Sequence, residues 1–343
     1  MRFCILTEIK PSIKHGMGKY IEIIKNTLGI RDIDIFNVFE INDSELIKIN
    51  QYDCCLVHIG LLKKNQIDIL NFLKKISIKK IATIHSVLKT EVEYFKEFIN
   101  VYFPNNTDIL SGIDVIDDSE YQLMICEYDA LIFNTQNDRD IFLKHYKFDG
   151  LIENIIPPLE HLFKPHSNSI KKNNQMSYMG RLDYRKGLIA TLNSFEFLPN
   201  DELDIYGLIM DRYNQIILKH FTEKNRNITY KGLVKDRSDY FNKYSIFFGN
   251  SLYEPLGFSH LEHLFNYVTP IIGKNTGTSE VFGESWPFQV GDSVPELINC
   301  VDKIKKTNLD DLKNQHDFVI NNLKKYTTDY YKSKLFNLIY KLK

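Results

Sequence analysis

A basic turn in the second half of the sequence has residue types that suit a diphosphate ligand. Residues 180–187 read Gly-Arg-Leu-Asp-Tyr-Arg-Lys-Gly and lie between a strand-like run and a helical pattern. Arg181 can donate two parallel hydrogen bonds to phosphate oxygens, Lys186 adds a compact positive charge, and a helix N-terminus favours an anion. A solvated basic loop at a helix start has the same composition, so the turn alone leaves both interpretations open.

Two glutamates eight residues apart follow a later strand-like run. Glu254 lies ahead of a helix that we predict from Gly257, and Glu262 lies about two turns into it. Glu262 can accept both hydroxyls of a ribose, Glu254 can hold sugar hydroxyls, and backbone N–H groups at 256–258 can face phosphates. Acidic residues near a helix start are also common on surfaces, where they favour the helix dipole. The basic turn about seventy residues earlier strengthens the binding interpretation.

Short apolar runs alternate with helical patterns along most of the chain, which predicts βαβ units and parallel sheets. In the first half these runs span residues 2–6, 33–39, 54–59, 80–84 and 130–133. In the second half they span residues 175–179, 202–206, 228–230, 246–249 and 270–272. We therefore expect two doubly wound α/β domains with ligands at the carboxyl ends of the strands.

The domain boundary is predicted between the two series of runs. Pro157 and Pro158 precede a polar stretch, 166–175, that has no hydrophobic period and indicates a linker. We expect a first domain at 1–158, a second at 159–320 and a C-terminal helix at 321–343. The helix pattern starts at Phe318, and such a helix could cross back to brace the first domain.

Composition narrows the classes of protein. Hydrophobic residues make up 43% of the 343 residues and charged residues 25%, which is typical of a packed protein of two domains. The net charge of −1 excludes a chain that is basic throughout, so nucleic acid or a membrane would need a local patch. Five cysteines without a CxxC pair, no signal-peptide pattern and no long apolar segment predict a reduced, cytoplasmic protein without a transmembrane span.

The two motifs together resemble the G-R-x(n)-K-G and E-x7-E motifs of retaining GT-B enzymes of glycosyltransferase family 4. The resemblance implies the GT-B fold, two Rossmann-like domains that face across a cleft, and a nucleotide-sugar donor without a required metal or other cofactor. It implies catalytic roles for Arg181, Lys186, Glu254 and His85, the last of which would contact the sugar or acceptor. An isolated histidine at a strand end is more often a satisfied core residue.

The same resemblance implies a set of donor-binding residues, which extends from the Gly-rich segment after the first strand to the second glutamate. These residues are Gly16, Gly18, Gly180, Gly207, Leu233, Leu256, Gly257, Phe258 and Glu262. One departure from the family is Asn266-Tyr267-Val268-Thr269-Pro270, where the family has a small residue and Gly before Pro, so we expect a different turn there. Asp32-Ile33-Asp34 lies within a strand pattern, and we do not interpret it as a metal site.

Short segments also resemble the phage DNA α-glucosyltransferases, which glucosylate 5-hydroxymethylcytosine. They are residues 84–88, 258–262 and 269–277. This resemblance implies a hexose donor such as UDP-glucose and a flipped base in DNA as acceptor, with lysine-rich helices contacting phosphates. Those lysines are equally compatible with ordinary solvated faces, or with a membrane surface where a glycolipid or surface polysaccharide is made. A non-catalytic nucleotide-sugar or nucleic-acid binding protein on a GT-B scaffold is a further alternative.

Overall fold

The computed structural model describes residues 2–7, 16–28, 33–58, 66–102, 118–209 and 212–343. The chain forms two compact units. The first comprises Met1–Pro158 with Tyr326–Lys343, and the second comprises Leu159–Lys325. Each unit contains one six-stranded sheet in which every described pair of strands is parallel.

The sheet of the first unit is built from short, mostly apolar strands in the order β2-β1-β3-β4-β5-β6. The strands are β1 Phe3–Thr7, β2 Asp34–Asn37, β3 Cys54–His58, β4 Lys79–Ile84, β5 Ala130–Phe133 and β6 Leu151–Asn154. The helices between them are α1 Gly16–Leu28, α2 Asp43–Ile49, α3 Gln66–Lys74, α4 Leu88–Tyr102, α5 Asp118–Ile125 and α6 Gln136–His145. Strands β1, β3 and β5 are buried along their whole length, as expected for a parallel sheet covered on both faces.

The sheet of the second unit has the order β12-β11-β10-β7-β8-β9. Its strands are β7 Gln175–Met179, β8 Glu202–Tyr206, β9 Ile228–Gly232, β10 Ile246–Gly249, β11 Thr269–Gly273 and β12 Gln289–Val290. Its helices are α7 Leu188–Ser194, α8 Arg212–Lys224, α9 Arg237–Lys243, α10 Phe258–Phe265, α11 Gly277–Phe282, α12 Val294–Lys306 and α13 Leu309–Leu323. The chain builds β7, β8 and β9 in one direction and then returns to place β10 on the other side of β7. The carboxyl ends of β7 and β10 therefore flank the topological switch point, where doubly wound sheets bind ligands.

The prediction of one long final helix from Phe318 is wrong. Helix α13 ends at Leu323, and a separate helix, α14 Thr328–Lys341, follows. The break is stabilised by Thr327, whose side chain accepts a hydrogen bond from the backbone N–H of Tyr330 and so caps the new helix. Helix α14 belongs to the first unit, where its Phe336 ring stacks on Phe3 with centroids 6.0 Å apart.

The turn at which the sequence departs from the family pattern joins α10 to β11. Tyr267 takes a left-handed backbone conformation, with a φ of 57°, which is the conformation that glycine adopts most readily. Its ring stacks on His316 at 5.6 Å, and its hydroxyl donates to Asp317 at 2.6 Å. These contacts offset the backbone strain. Asn266 accepts a hydrogen bond from the backbone N–H of His166 at 2.6 Å.

Four of the five cysteines are buried in the core as predicted, but Cys126 is exposed. The described helices include none that is long and apolar enough to cross a membrane.

Candidate active site

The basic turn follows β7 and approaches the end of β10 closely. Residues Tyr184–Lys186 form one 3-10 turn, and Gly187, with a φ of 72°, is the N-cap residue of α7. A Cβ at Gly187 would overlap the backbone oxygen of Asn250, which follows β10. The glycine is therefore needed both for its backbone conformation and for the close approach of the two turns.

Side-chain and backbone hydrogen bonds join these two turns. Asn250 Nδ2 donates to Gly187 O at 3.2 Å, and Asn250 Oδ1 accepts from Thr191 Oγ1 at 2.8 Å. The backbone N–H of Leu252 donates to Arg185 O at 2.8 Å. The residues that precede Glu254 are thus fixed against those that carry Lys186.

Lys186 and Glu254 are in contact. The ammonium group of Lys186 donates to Glu254 Oε2, and the two side chains are only 18% and 14% exposed. The structure thus joins one cation of the basic turn to the first glutamate of the later motif. Coulomb attraction in such a partly desolvated place is stronger than on an open surface.

Arg181 lies at the beginning of the same turn and is more open. Its guanidinium is 3.5 Å from Asp183 Oδ2, and about half of its side-chain surface (51%) is exposed. The adjacent Asp183 is almost fully buried. The turn therefore presents one exposed guanidinium and one largely buried ammonium group.

Glu262 has a partner that the sequence did not indicate. Its Oε2 accepts a hydrogen bond from Arg237 at 2.6 Å, and its side chain is 9% exposed whereas that of Arg237 is 50% exposed. Arg237 is the first residue of α9. A cation in the first turn opposes the helix dipole, so the pairing with Glu262 compensates an otherwise unfavourable position for Arg237.

Glycine residues let the backbone at the ends of β7 and β8 pack tightly. A Cβ at Gly207, whose φ is 144°, would overlap Gly180 O, while the space beside Gly180 is open. Gly180 N–H donates to Tyr206 O at 3.1 Å, and Leu233 beyond β9 is 58% exposed. Gly180, Gly207 and Leu233 thus lie at the carboxyl ends of three neighbouring strands.

We predicted that the backbone N–H groups at the start of α10 face phosphates, but one of them has a partner within the protein. The Gly257 N–H donates to Thr278 Oγ1 at 2.9 Å, and a side chain within the protein thus occupies the donor that we predicted for phosphate. Leu256 is buried, and the Phe258 ring lies 6.1 Å from that of His161.

In the first unit, the two predicted glycines lie in a helix and not in a loop. Gly16 is the first residue of α1, and Gly18 is buried two residues farther along. The Gly-rich segment after the first strand is therefore helical from Gly16 onward. His15, which precedes them, lies outside the described residues.

His85 follows β4 and contacts a second histidine that sequence reasoning missed. His85 Nε2 is 3.1 Å from Nδ1 of His58, the last residue of β3, and the Tyr20 ring lies edge-on to His85 at 4.9 Å. Burial lowers the pKa of His85 to about 4. Burial, with a smaller contribution from His85, holds the pKa of His58 well below 6.5. Both rings are neutral at neutral pH and share one hydrogen bond.

Asp34 of the Asp-Ile-Asp segment forms an ion pair and a hydrogen bond within the protein. Its carboxylate pairs with Lys48 at 2.8 Å and accepts a hydrogen bond from Tyr52, and Asp32 lies outside the described residues. Nowhere in the described ranges do three or more His, Cys, Asp or Glu side chains form a cluster that could hold a metal ion.

Comparison with known proteins gives one family match. Residues 161–321, just under half of the chain, match the family model "Glycosyl transferases group 1". No curated protein sequence matches the chain.

Similar solved structures extend over the whole chain. HepE of Anabaena, solved with UDP and glucose, is 11% identical with a TM-score of 0.72, over 98% of this chain and 99% of that one. Sucrose-phosphate synthase of Thermosynechococcus elongatus is 13% identical with a TM-score of 0.72, over 100% and 99%. The UDP-forming α,α-trehalose-phosphate synthase of Burkholderia xenovorans, solved with glucose-6-phosphate, is 11% identical with a TM-score of 0.67, over 98% and 100%. At this identity the likeness concerns the fold.

The predicted fold class is confirmed, because two parallel α/β sheets and these likenesses define the GT-B fold. The match to the glycosyltransferase model lies in the second unit, and it supports a glycosyltransferase.

Proposed function

We propose that the protein is a retaining hexosyltransferase whose donor is a UDP-sugar, with UDP-glucose as the favoured donor. The contact between Lys186 and Glu254 at the switch point carries this proposal. The contact brings together a cation that can bind phosphate and a carboxylate that can hold sugar hydroxyls. These two side chains can therefore contact one donor molecule on both sides of the bond between the sugar and the diphosphate, which is the bond that breaks. UDP and glucose in the HepE structure support this donor.

The proposed roles follow the chemistry of each side chain. Arg181 and Lys186 bind the diphosphate, Glu254 holds hydroxyls of the sugar, and Glu262 holds the ribose together with Arg237. The glycines 180 and 207 allow the backbone to approach the donor, and Leu233 provides an apolar surface for the base. Leu256, Gly257 and Phe258 shape the start of α10 beside the phosphates.

In the first unit, we assign His85 a contact with the sugar or the acceptor, and Gly16 and Gly18 a place near the donor at the start of α1. A neutral His85 can accept or donate one hydrogen bond, which suits a sugar hydroxyl. These assignments rest on the family resemblance.

In the proposed reaction, the C1–O bond to the diphosphate breaks while an oxygen of the acceptor forms a bond to C1 on the same face. The acceptor proton passes to a phosphate oxygen, and the products are the glycoside and UDP. Negative charge grows on the diphosphate, and each preorganised cation is worth about 3–4 kcal/mol there. Removal of either cation is therefore expected to slow turnover roughly a hundredfold or more.

As acceptor we favour 5-hydroxymethylcytosine in DNA, on the short segments that resemble phage DNA α-glucosyltransferases. One of these segments, Phe258 to Glu262, lies in α10 at the candidate site. A glycan or glycolipid acceptor is the alternative outcome, and a nucleotide-sugar binding protein without activity is the third.

The test is transfer from radiolabelled UDP-glucose to hydroxymethylated duplex DNA, with unmodified DNA and simple glycans as matched acceptors. We expect label in hydroxymethylated DNA alone, and affinity for duplex DNA that falls steeply with salt, because lysines that contact phosphates release counterions. Label in glycans alone would overturn the DNA acceptor. Failure to hydrolyse or transfer any nucleotide sugar, with UDP still bound, would overturn the enzymatic function.

A further inference from the structure

The loop that carries Glu254 is hydrogen-bonded to the first two residues of α11. We define this segment, Glu254–Gly257, as the donor loop. The backbone N–H of Gly277 donates to Glu254 O at 2.7 Å, and Thr278 Oγ1 accepts from Gly257 N–H at 2.9 Å. Two consecutive residues of α11 thus hold both ends of the donor loop.

His260 extends this contact one step farther into the core. Its Nδ1 lies 3.0 Å from Thr278 Oγ1, His260 is 2% exposed, and Thr278 is fully buried. Thr278 Oγ1 has two lone pairs and one hydrogen, so it can accept from the Gly257 N–H and also share a hydrogen bond with His260 Nδ1, whose direction depends on the tautomer of His260. Burial lowers the pKa of His260 to about 3, so the imidazole is neutral at neutral pH.

The backbone leaves room for this imidazole at two glycines. A Cβ at Gly249, the last residue of β10, would overlap the His260 ring, and so would a Cβ at Gly257. The ring is therefore held between the end of the strand and the donor loop. Its position is determined by packing as well as by the hydrogen bond to Thr278.

We propose that His260 and Thr278 are positioning residues that set the orientation of the donor loop, and so place both the Glu254 carboxylate beside Lys186 and the backbone at Leu256 and Gly257 beside the phosphates of the donor. This inference rests on the proposed function, because it concerns how the proposed donor site is shaped. A purely structural hydrogen bond in the core would affect stability and leave the affinity for UDP unchanged.

The test compares Thr278→Val, which removes the hydroxyl at nearly constant shape, with Thr278→Ser, which retains it. The matched control is Thr269→Val, because Thr269 Oγ1 lies 3.2 Å from Nε2 of the buried His316 and makes the same kind of contact outside the donor loop. For each variant we would measure the thermal unfolding midpoint, the Kd for UDP by calorimetry, and kcat and KM for UDP-glucose.

We expect both valine variants to lower the unfolding midpoint. We expect Thr278→Val alone to weaken UDP binding about tenfold, because the Gly257 N–H of the donor loop loses its acceptor and one hydrogen bond corresponds to about that factor. Thr278→Ser should bind UDP as the wild type does. Equal UDP affinity in Thr278→Val and wild type, or an equal loss in Thr269→Val, would overturn the proposal. If wild-type protein binds no UDP and turns over no nucleotide sugar, the proposed function fails and not only this inference.

A second pair of variants covers the case in which Thr278→Val does not fold. His260→Leu removes the hydrogen-bond partner of the Thr278 hydroxyl, whereas His260→Asn offers an amide group, which can donate or accept, in its place. Weaker UDP binding in the leucine variant than in the asparagine variant supports the proposal, and equal affinities contradict it.

Discussion

Loss of the Lys186 charge should reduce activity and stability by different mechanisms, and the two effects can be separated. Lys186→Met keeps most of the apolar stem and removes the ammonium group. For catalysis, the loss of a cation that stabilises the leaving diphosphate is worth about 3–4 kcal/mol, so kcat should fall roughly a hundredfold or more. For stability, the substitution leaves Glu254, whose side chain is 14% exposed, without its partner, at a cost of about 1–3 kcal/mol.

A double variant distinguishes the two contributions. Lys186→Met combined with Glu254→Gln leaves no uncompensated carboxylate, so most of the lost stability should return while activity remains low. The control is Lys224→Met, because Lys224 pairs with Glu196 at 2.6 Å in the same unit but is 55% exposed. That variant should change the free energy of unfolding by less than about 1 kcal/mol.

The assays are urea unfolding for stability and UDP release from UDP-glucose, with and without acceptor, for activity. The reasoning is refuted if Lys186→Met keeps kcat within threefold of wild type. It is also refuted if the double variant recovers activity together with stability, since Glu254 would then have no part in binding the sugar.

Three further predictions concern other parts of the candidate site and the core. Gly187→Ala should destabilise the protein by more than about 2 kcal/mol in urea unfolding, because the new Cβ would overlap the backbone of Asn250. Gly232→Ala is the control: Gly232 also has a φ of 72° but has open space beside it, so the loss should be only about 1–2 kcal/mol. Equal losses of stability in the two variants would contradict this. Arg237→Met should raise the KM for UDP-glucose about tenfold with a smaller change in kcat, because Glu262 loses a charged hydrogen bond. An unchanged KM would contradict the assignment of Arg237 to the donor site. Burial lowers the pKa of His316 to about 4, whereas an unfolded histidine binds a proton near pH 6.5. The free energy of unfolding should therefore decrease as the pH falls from about 6.5 towards 4. His316→Asn should make this dependence on pH less steep, and an identical slope in the variant would contradict the assignment.

The strand pattern of the fold was predictable because parallel strands buried on both faces are apolar runs of recognisable length. The runs at 175–179, 202–206, 246–249 and 130–133 coincide with β7, β8, β10 and β5. The break between α13 and α14 was missed because the apolar period continues on both sides of it, and only the Thr327 cap marks the new start.

At the candidate site, sequence spacing could locate residues on the same segment but not their partners on other segments. Arg237 pairs with Glu262 from a different helix, and no spacing rule connects positions 25 residues apart. His58 pairs with His85 because β3 and β4 are neighbours in the sheet, which is a property of the strand order. The use of the Gly257 N–H by Thr278 depends in the same way on the packing of α11 against the donor loop.

A crystal structure of the protein with UDP bound tests the central claim most directly. The account predicts phosphate oxygens within hydrogen-bond distance of Arg181 and Lys186, and ribose hydroxyls on Glu262, at the carboxyl ends of β7 and β10. UDP bound at another place in the second unit, with the Lys186–Glu254 pair untouched, would contradict it.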